Sequence, residues 1–279
     1  MRANQALAEA SGRPGHYFEV LLAAAYGTLL KGRAGVAMDG GTNAGLHAVG
    51  MIKAFGGTQG RVVGFEPQPT LASQARGWAR AHGAADRLEL HEAALGAAEG
   101  RTRFFVNKTD TALSGLRMMK TEEELYDERE VAVVTLDTLA ADRLVQFVKL
   151  DLEGGEYHAL LGAERTIARC RPIVAFENGI AWSANRFGYQ PNAVPLFFER
   201  QGYEIFDFYG NAVTPDSYEF PGQTFMFFAG PHRDFRLMLV RDMVDEFWAW
   251  SDSLDLSSWD RTIDEVIARA EGTPGDNGA

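Results

Sequence analysis

Between residues 35 and 176, short apolar runs alternate with stretches of helical periodicity, and this alternation limits the fold more than any other feature. Segments 35–38, 61–65 (RVVGF), 88–90, 147–150 (FVKL) and 173–176 (IVAF) have the length and apolar content of strands. Segments 46–55, 71–81, 156–168 and, further on, 194–200 read as helices. Such a series builds βαβ units, in which parallel strands are covered on both faces. Segments 102–106 and 131–136 are two further strand candidates. The polar stretch 107–130 interrupts the alternation as a surface insertion or a lid. Segments 203–208 (YEIFDF) and 224–228 (TFMFF) have no helix between them and suit an antiparallel pair at one edge. The expected fold is α/β, Rossmann-like and doubly wound, with a mostly parallel sheet.

The two ends carry helical patterns of their own. Phe18, Leu21, Leu22, Ala25, Tyr26, Leu29 and Leu30 recur at helix spacing until Lys31-Gly32 ends the run. Residues 1–34 thus read as an N-terminal helical extension and 35–231 as the main domain. Residues 232–271 read as a C-terminal helical extension and 272–279 as a frayed tail. The longest apolar stretch, 20–30, is interrupted by Gly27 and falls short of the roughly 20 residues that span a bilayer. The N-terminus has no secretory apolar core, and a single cysteine, Cys170, leaves no internal disulfide and no cysteine zinc site. These features lead to the expectation of a cytoplasmic protein without membrane insertion. A net charge of −11 argues against nucleic acid or an anionic membrane as partner.

Ligands of open parallel sheets bind beyond the carboxyl ends of the strands. Four of those ends carry an acid: Asp39 before Gly40-Gly41-Thr42-Asn43-Ala44-Gly45, Glu66 before Pro67, Asp151 before Leu152-Glu153-Gly154-Gly155, and Glu177 before Asn178. The first loop lacks the G-x-G-x-x-G spacing of dinucleotide sites and the G-K-[ST] of P-loops. Asp39 would repel a pyrophosphate but would attract a ligand bearing an ammonium and a sulfonium, and S-adenosylmethionine is such a ligand. Glu66 at the next strand end suits the two ribose hydroxyls. Two other classes remain open: a nicotinamide-dependent oxidoreductase or epimerase, and a nucleoside-binding module without turnover.

The runs VAMDGGTNAG, RVVGFEPQP, EAALGAAEG, VVTLDTL, FVKLDLEGGEYHALLGA and RPIVAFENG together resemble the FkbM-type family of class I S-adenosylmethionine-dependent methyltransferases. The resemblance spans about residues 35–180 and is most specific in VKLDLEGGEYHALLGA. Gly40-Gly41-Thr42 departs from the family's usual hydrophobic residue followed by Gly-Ala. The resemblance implies a seven-stranded sheet with an antiparallel last strand. It also implies O-methylation of a hydroxyl on a sugar, glycolipid or secondary metabolite.

Roles follow as expectations. Asp39, Gly41, Asn43 and Gly45 would surround the methionine part of the cofactor, and Glu66 with Pro67 would hold the ribose. Glu92, Ala93 and Ala94 would flank the adenine, beside a weaker family-like segment at 111–116. Asp151 would take the acceptor's proton or hold the cofactor's ammonium, with Glu153, Glu156 and Glu177 near enough to share the work. Asp151, Glu153 and Glu177 could alternatively hold Mg²⁺. Glu153 also suits a helix's first turn, and Glu156 and Glu164 suit a solvated helix face. His47 is either packed or a base, whereas His158 and Cys170 read as structural. Segment 180–191 (IAWSANRFGYQP) reads as a sugar-binding loop: Asn178, Trp182, Asn185 and Tyr189 would meet the acceptor, beside Arg186 and Phe187. Phe247, Trp248, Trp250 and Trp259 suit helix packing or a homodimer contact.

Overall fold

A computed structural model of the chain describes residues 14–57, 60–109, 113–118, 123–218 and 224–251. Its first half contains α1 (Pro14–Leu30), β1 (Gly35–Gly40), α2 (Leu46–Ala54), β2 (Gly60–Phe65), α3 (Pro69–Ala81), β3 (Leu88–His91), β4 (Ala93–Leu95), β5 (Gly100–Asn107) and β6 (Tyr126–Val134). There follow α4 (Leu136–Ala140), β7 (Val145–Leu150), α5 (Glu156–Leu161), α6 (Glu164–Cys170) and β8 (Ile173–Glu177). The chain continues with α7 (Ala181–Phe187), α8 (Ala193–Arg200), β9 (Tyr203–Asp207), β10 (Ala212–Val213), β11 (Met226–Pro231) and α9 (Phe235–Ser251).

Among the described residues the main sheet has eight strands, ordered β10-β9-β11-β8-β7-β1-β2-β3. Strands β3, β2, β1, β7 and β8 are parallel, while β11 runs antiparallel to both β8 and β9. The antiparallel pairing of the last long strands is present, but β11 lies inside the sheet rather than at its edge. The eighth strand is the two-residue β10, antiparallel to β9. Asp207 folds it back: its carboxylate accepts the N–H of Tyr209 at 3.0 Å and of Asn211 at 2.8 Å. Chain order reverses between β1 and β7, so a crevice opens beyond their carboxyl ends.

Alternation within the strands sends side chains to two buried faces. In β8, Ile173 and Ala175 pack toward α1, α2 and α9, whereas Val174 and Phe176 pack toward α5, α6 and α8. All seven periodic residues of α1 are buried in the first of these layers. Each large apolar side chain there stabilises the fold by about 1.5–3 kcal/mol. Phe18 of α1 meets Phe228 with ring centroids 5.8 Å apart, and Trp248 of α9 donates to the Phe208 carbonyl at 2.8 Å. The helices at both ends therefore share one core layer with the sheet. Trp248 is a packing residue; Trp259, the helical pattern after residue 251 and the tail lie outside the described residues. No described helix is long and apolar enough to cross a membrane.

Four local expectations are corrected. The insertion joins the two flanking strand candidates, β5 and β6, which pair as a hairpin with β6 starting inside it at Tyr126, and β4 parallel to β6 completes a three-stranded second sheet. Its last strand stops at Val134 because Thr135 caps α4, accepting the N–H of Thr138 at 3.1 Å. The helix expected over 156–168 splits at Gly162, where a Cβ would stand 2.1 Å from the Gly96 carbonyl oxygen. The Gly162 carbonyl accepts from Asp137 at 2.8 Å, so this backbone serves a neighbour. Segment 181–187, expected as loop, is α7, entered where Ser183 Oγ accepts the Gly179 N–H at 2.9 Å.

Candidate active site

A cleft of about 700 Å³, counting its open mouth, lies where chain order reverses. Its floor is the turn after β1 and the ends of β2 and β7: Gly41, Asn43, Phe65, Glu66, Pro67, Asp151 and Leu152. Its outer wall comes from Ala93, Ala94 and Leu95 of β4, Phe104 of β5, and Ser114 to Leu116. Gly41 makes the close approach possible: it has φ +73°, and a Cβ there would meet the Asp151 carbonyl oxygen at 2.0 Å.

Glu66 is held by backbone. Its Oε2 accepts the Asn43 N–H at 3.0 Å and its Oε1 accepts the Gln68 N–H at 2.9 Å. Each oxygen keeps acceptor capacity for a hydroxyl in the cleft. Burial, only partly offset by those two N–H groups, pushes the Glu66 carboxyl up to about 7.

The loop after β7 is held by a second buried acid. Glu156, fully buried, accepts the N–H of Leu152 at 2.7 Å and of Gly154 at 3.2 Å on one oxygen. Its other oxygen accepts from Asn178 Nδ2 at 3.4 Å. Burial, again only partly offset by backbone N–H groups, raises its pKa to about 7. Beside this clip, Asp151 lines the cleft with its side chain 37% exposed. Burial works against the Asp151 charge, but the Lys149 ammonium at 3.3 Å and a hydrogen bond with Glu177 hold its carboxyl below the ordinary range. Burial and the Asp151 charge push the Glu177 carboxyl well upward, and its side chain is hydrogen-bonded to Asp151.

The geometry can be set beside known proteins. A family profile described as the methyltransferase FkbM domain matches residues 39–205, more than half of the chain. The chain belongs to the FkbM methyltransferase family. Among solved structures it is similar to the FkbM methyltransferase from Methylobacillus flagellatus KT, with 20% identity and a TM-score of 0.46. That match covers 74% of this chain and 47% of the other, so the chain spans about half of that protein's length. It is also similar to the O-methyltransferase TomG from Streptomyces achromogenes, involved in tomaymycin synthesis and solved with SAM. That match has 13% identity, covers 75% of this chain and 78% of the other, and has a TM-score of 0.43. The O-methyltransferase from Bacillus cereus in complex with SAH matches at 13% identity, over 78% and 80% of the two chains, with a TM-score of 0.41. No curated protein sequence matches.

Within this FkbM domain the expected residues fall into three groups. Gly41, Asn43, Glu66, Pro67, Ala93, Ala94, Asp151 and Glu153 line the cleft. Asp39, Gly45, Glu92 and Glu177 do not. Asp39 is fully buried beneath the turn, Gly45 packs against Ala75, and Glu92 pairs with Arg76 at 2.6 Å on the surface. Asn178, Trp182, Asn185 and Tyr189 also lie outside the lining. Asn178 is fully buried among Glu156, Tyr189 and Tyr218, while Trp182 and Asn185 are exposed on α7. Glu156 is not on a solvated face, because its loop clip needs it inside. Phe65, Gln68, Leu71, Phe104 and Gly155 line the cleft without having been singled out from sequence. Phe65, Gln68 and Gly155 lie beside strand ends, whereas Leu71 is on α3 and Phe104 is inside β5.

The carboxylates do not fit the Mg²⁺ expectation. Asp151 is matched by the Lys149 ammonium, and burial beside the Asp151 charge disfavours the ionised Glu177 carboxylate that a cation would need. Among the described residues no group of three metal-capable side chains converges.

Proposed function

We propose that this chain is an S-adenosylmethionine-dependent O-methyltransferase. The observation that carries this reading is Glu66, fixed by two backbone N–H groups at the carboxyl end of β2 and lining a cleft wide enough for a nucleoside. Gly41 and Asn43 would border the methionine part, Glu66 and Pro67 the ribose, and Ala93, Ala94 and Phe104 the adenine ring. When bound, the cofactor supplies an electrophilic methyl group on a sulfonium. The residues of the chain align an acceptor hydroxyl with it, and alignment can supply several kcal/mol of a displacement barrier.

Asp151 would hold the acceptor hydroxyl and accept its proton when the methyl group passes from sulfur to oxygen and the sulfur leaves as a neutral thioether, with Glu177 and Glu153 beside it. A carboxylate held below its usual pKa is a weak base, so alignment carries most of the acceleration. The acceptor class is a sugar, glycolipid or secondary-metabolite hydroxyl, approached past Trp182 and Asn185 of α7. Calorimetry with S-adenosylmethionine and with NADH tests the cofactor, and transfer of an isotope-labelled methyl group to glycan and metabolite extracts tests the reaction. Binding of NADH without S-adenosylmethionine overturns the reading, and so does label appearing only on nitrogen or carbon.

A further inference from the structure

Lys149 is a buried charge among apolar strand residues. It sits inside a sheet strand with its side chain 5% exposed, where a lone ammonium would be strongly disfavoured. Register explains its surroundings. Asp39 and Lys149 are direct partners across β1 and β7, and each lies two residues after a core residue, Ala37 and Phe147, of the face covered by α1 and α2. The ammonium donates to the Gly41 carbonyl at 3.1 Å, lies 3.3 Å from Asp151 Oδ2, and lies 3.7 Å from Asp39 Oδ1. Gly41 and Asp151 belong to the two loops that edge the cleft from either side of the reversal point. Asp39 is fully buried and does not reach the cleft.

We propose that Lys149 is a positioning residue: its buried ammonium ties the Gly41 turn to the Asp151 carboxylate, with Asp39 as its counter-charge and not as a contact of the cofactor. The proposal rests on the cofactor reading above for what the cleft holds. Asp151 from the loop after its own strand, Asp39 from β1, Glu66 from the turn after β2, and Glu19 and Tyr26 from α1 face Lys149, while Glu177 from β8, His47 from α2 and Glu156 from α5 face Asp151. Glu19 and His47 are themselves hydrogen-bonded, so they form one fixed pair beside the cluster. Lys149 is the cation closest to Asp151.

The single variant Lys149→Met would bury Asp39 without its partner and could unfold the chain. The double variant Lys149→Met/Asp39→Asn removes both charges and keeps similar volumes. Two measurements decide. In ¹³C-carboxyl NMR titration, with Asp151 assigned through Asp151→Asn, the Asp151 titration should move up by about one pH unit or more in the double variant. In calorimetry, S-adenosylmethionine should bind the double variant at least about tenfold more weakly, and Asp39→Asn alone within about threefold of the wild type. A merely structural lysine would lower stability without moving the Asp151 titration. An unmoved titration overturns the proposal, as does an Asp39→Asn loss equal to that of the double variant. If the wild type bound no S-adenosylmethionine, the cofactor reading would fall, and the NMR titration would still decide the role of Lys149.

Discussion

Glu66 and Glu156 are two versions of one device, used for different ends. Both are buried acids that clip a neighbouring loop, both accept two loop N–H groups, and both are pushed up to about 7. They differ in which oxygens are occupied. Glu66 spends one oxygen on each N–H, at 3.0 and 2.9 Å, and faces the cleft. Glu156 spends one oxygen on both, at 2.7 and 3.2 Å, and faces protein on every side. A carboxylate that shapes a loop from behind needs one oxygen, whereas one that presents itself to a ligand has both held in place.

The largest expected effect is on Glu156→Ala. It leaves the Leu152 and Gly154 N–H groups without their acceptor, at about 1–3 kcal/mol each. Urea unfolding should show a loss of about 4 kcal/mol, and a loss below about 1 kcal/mol would mean that the 151–155 loop holds itself.

Replacing the same acid by glutamine should act in the opposite direction at high pH. The amide side chain would keep both backbone bonds through its carbonyl oxygen and lose the weaker bond to Asn178. The wild-type acid has a folded pKa above its ordinary 4.5, so its contribution is complete below that value and fades as pH rises through about 7. That fading amounts to about 3 kcal/mol. The amide cannot titrate, so Glu156→Gln should be slightly less stable than wild type at pH 4.5 and about 2 kcal/mol more stable at pH 8. Parallel stability profiles for the two proteins would remove the raised pKa from the account.

This contrast marks what could be read from the sequence. Strand-length apolar runs located β1, β2, β7 and β8, because burial on both faces leaves a continuous apolar signature. The acids at those strand ends were visible for the same reason. What each acid does was not, because it depends on register and loop closure. Helical spacing placed Glu156 near a helix start but could not show two N–H groups folding back onto it. Lys149 was hidden inside FVKL, where one charge among apolar residues reads as noise until pairing sets it beside Asp39. Segment 181–187 combines aromatics with a following glycine and reads as loop, yet Ala184 and Ser183 bury one side of a short helix there.

Glu66→Gln sharpens the comparison with a smaller effect. Its two donors go to different oxygens, so an amide nitrogen must face one N–H, a loss of about 1 kcal/mol in stability. The cleft also loses its carboxylate, and S-adenosylmethionine should bind about tenfold more weakly at pH 8 by calorimetry. Ribose hydroxyl donors favour the charged acid, so wild-type binding should tighten as pH rises through about 7, with proton release. The variant should show neither trend. An equally steep pH dependence in Glu66→Gln would assign the titration to another group.

The smallest effect is expected at the rim. Trp182 is 46% exposed on α7 and carries the Arg186 guanidinium 4.1 Å from its ring centroid. Exposed stacking of this kind is worth about 0.5–1 kcal/mol, and Trp182→Ala should lower stability by no more than that. Arg186 also donates to the Arg117 carbonyl at 2.8 Å, and that bond survives the substitution and keeps the segment after Leu116 fastened to α7. The cleft wall formed by Ser114 to Leu116 should therefore stay in place, and S-adenosylmethionine affinity should stay within about twofold of wild type. Any change should be confined to the KM for the methyl acceptor. If cofactor affinity fell together with acceptor binding, α7 would be a support of the cleft wall, and the separation drawn between cofactor floor and acceptor rim would fail.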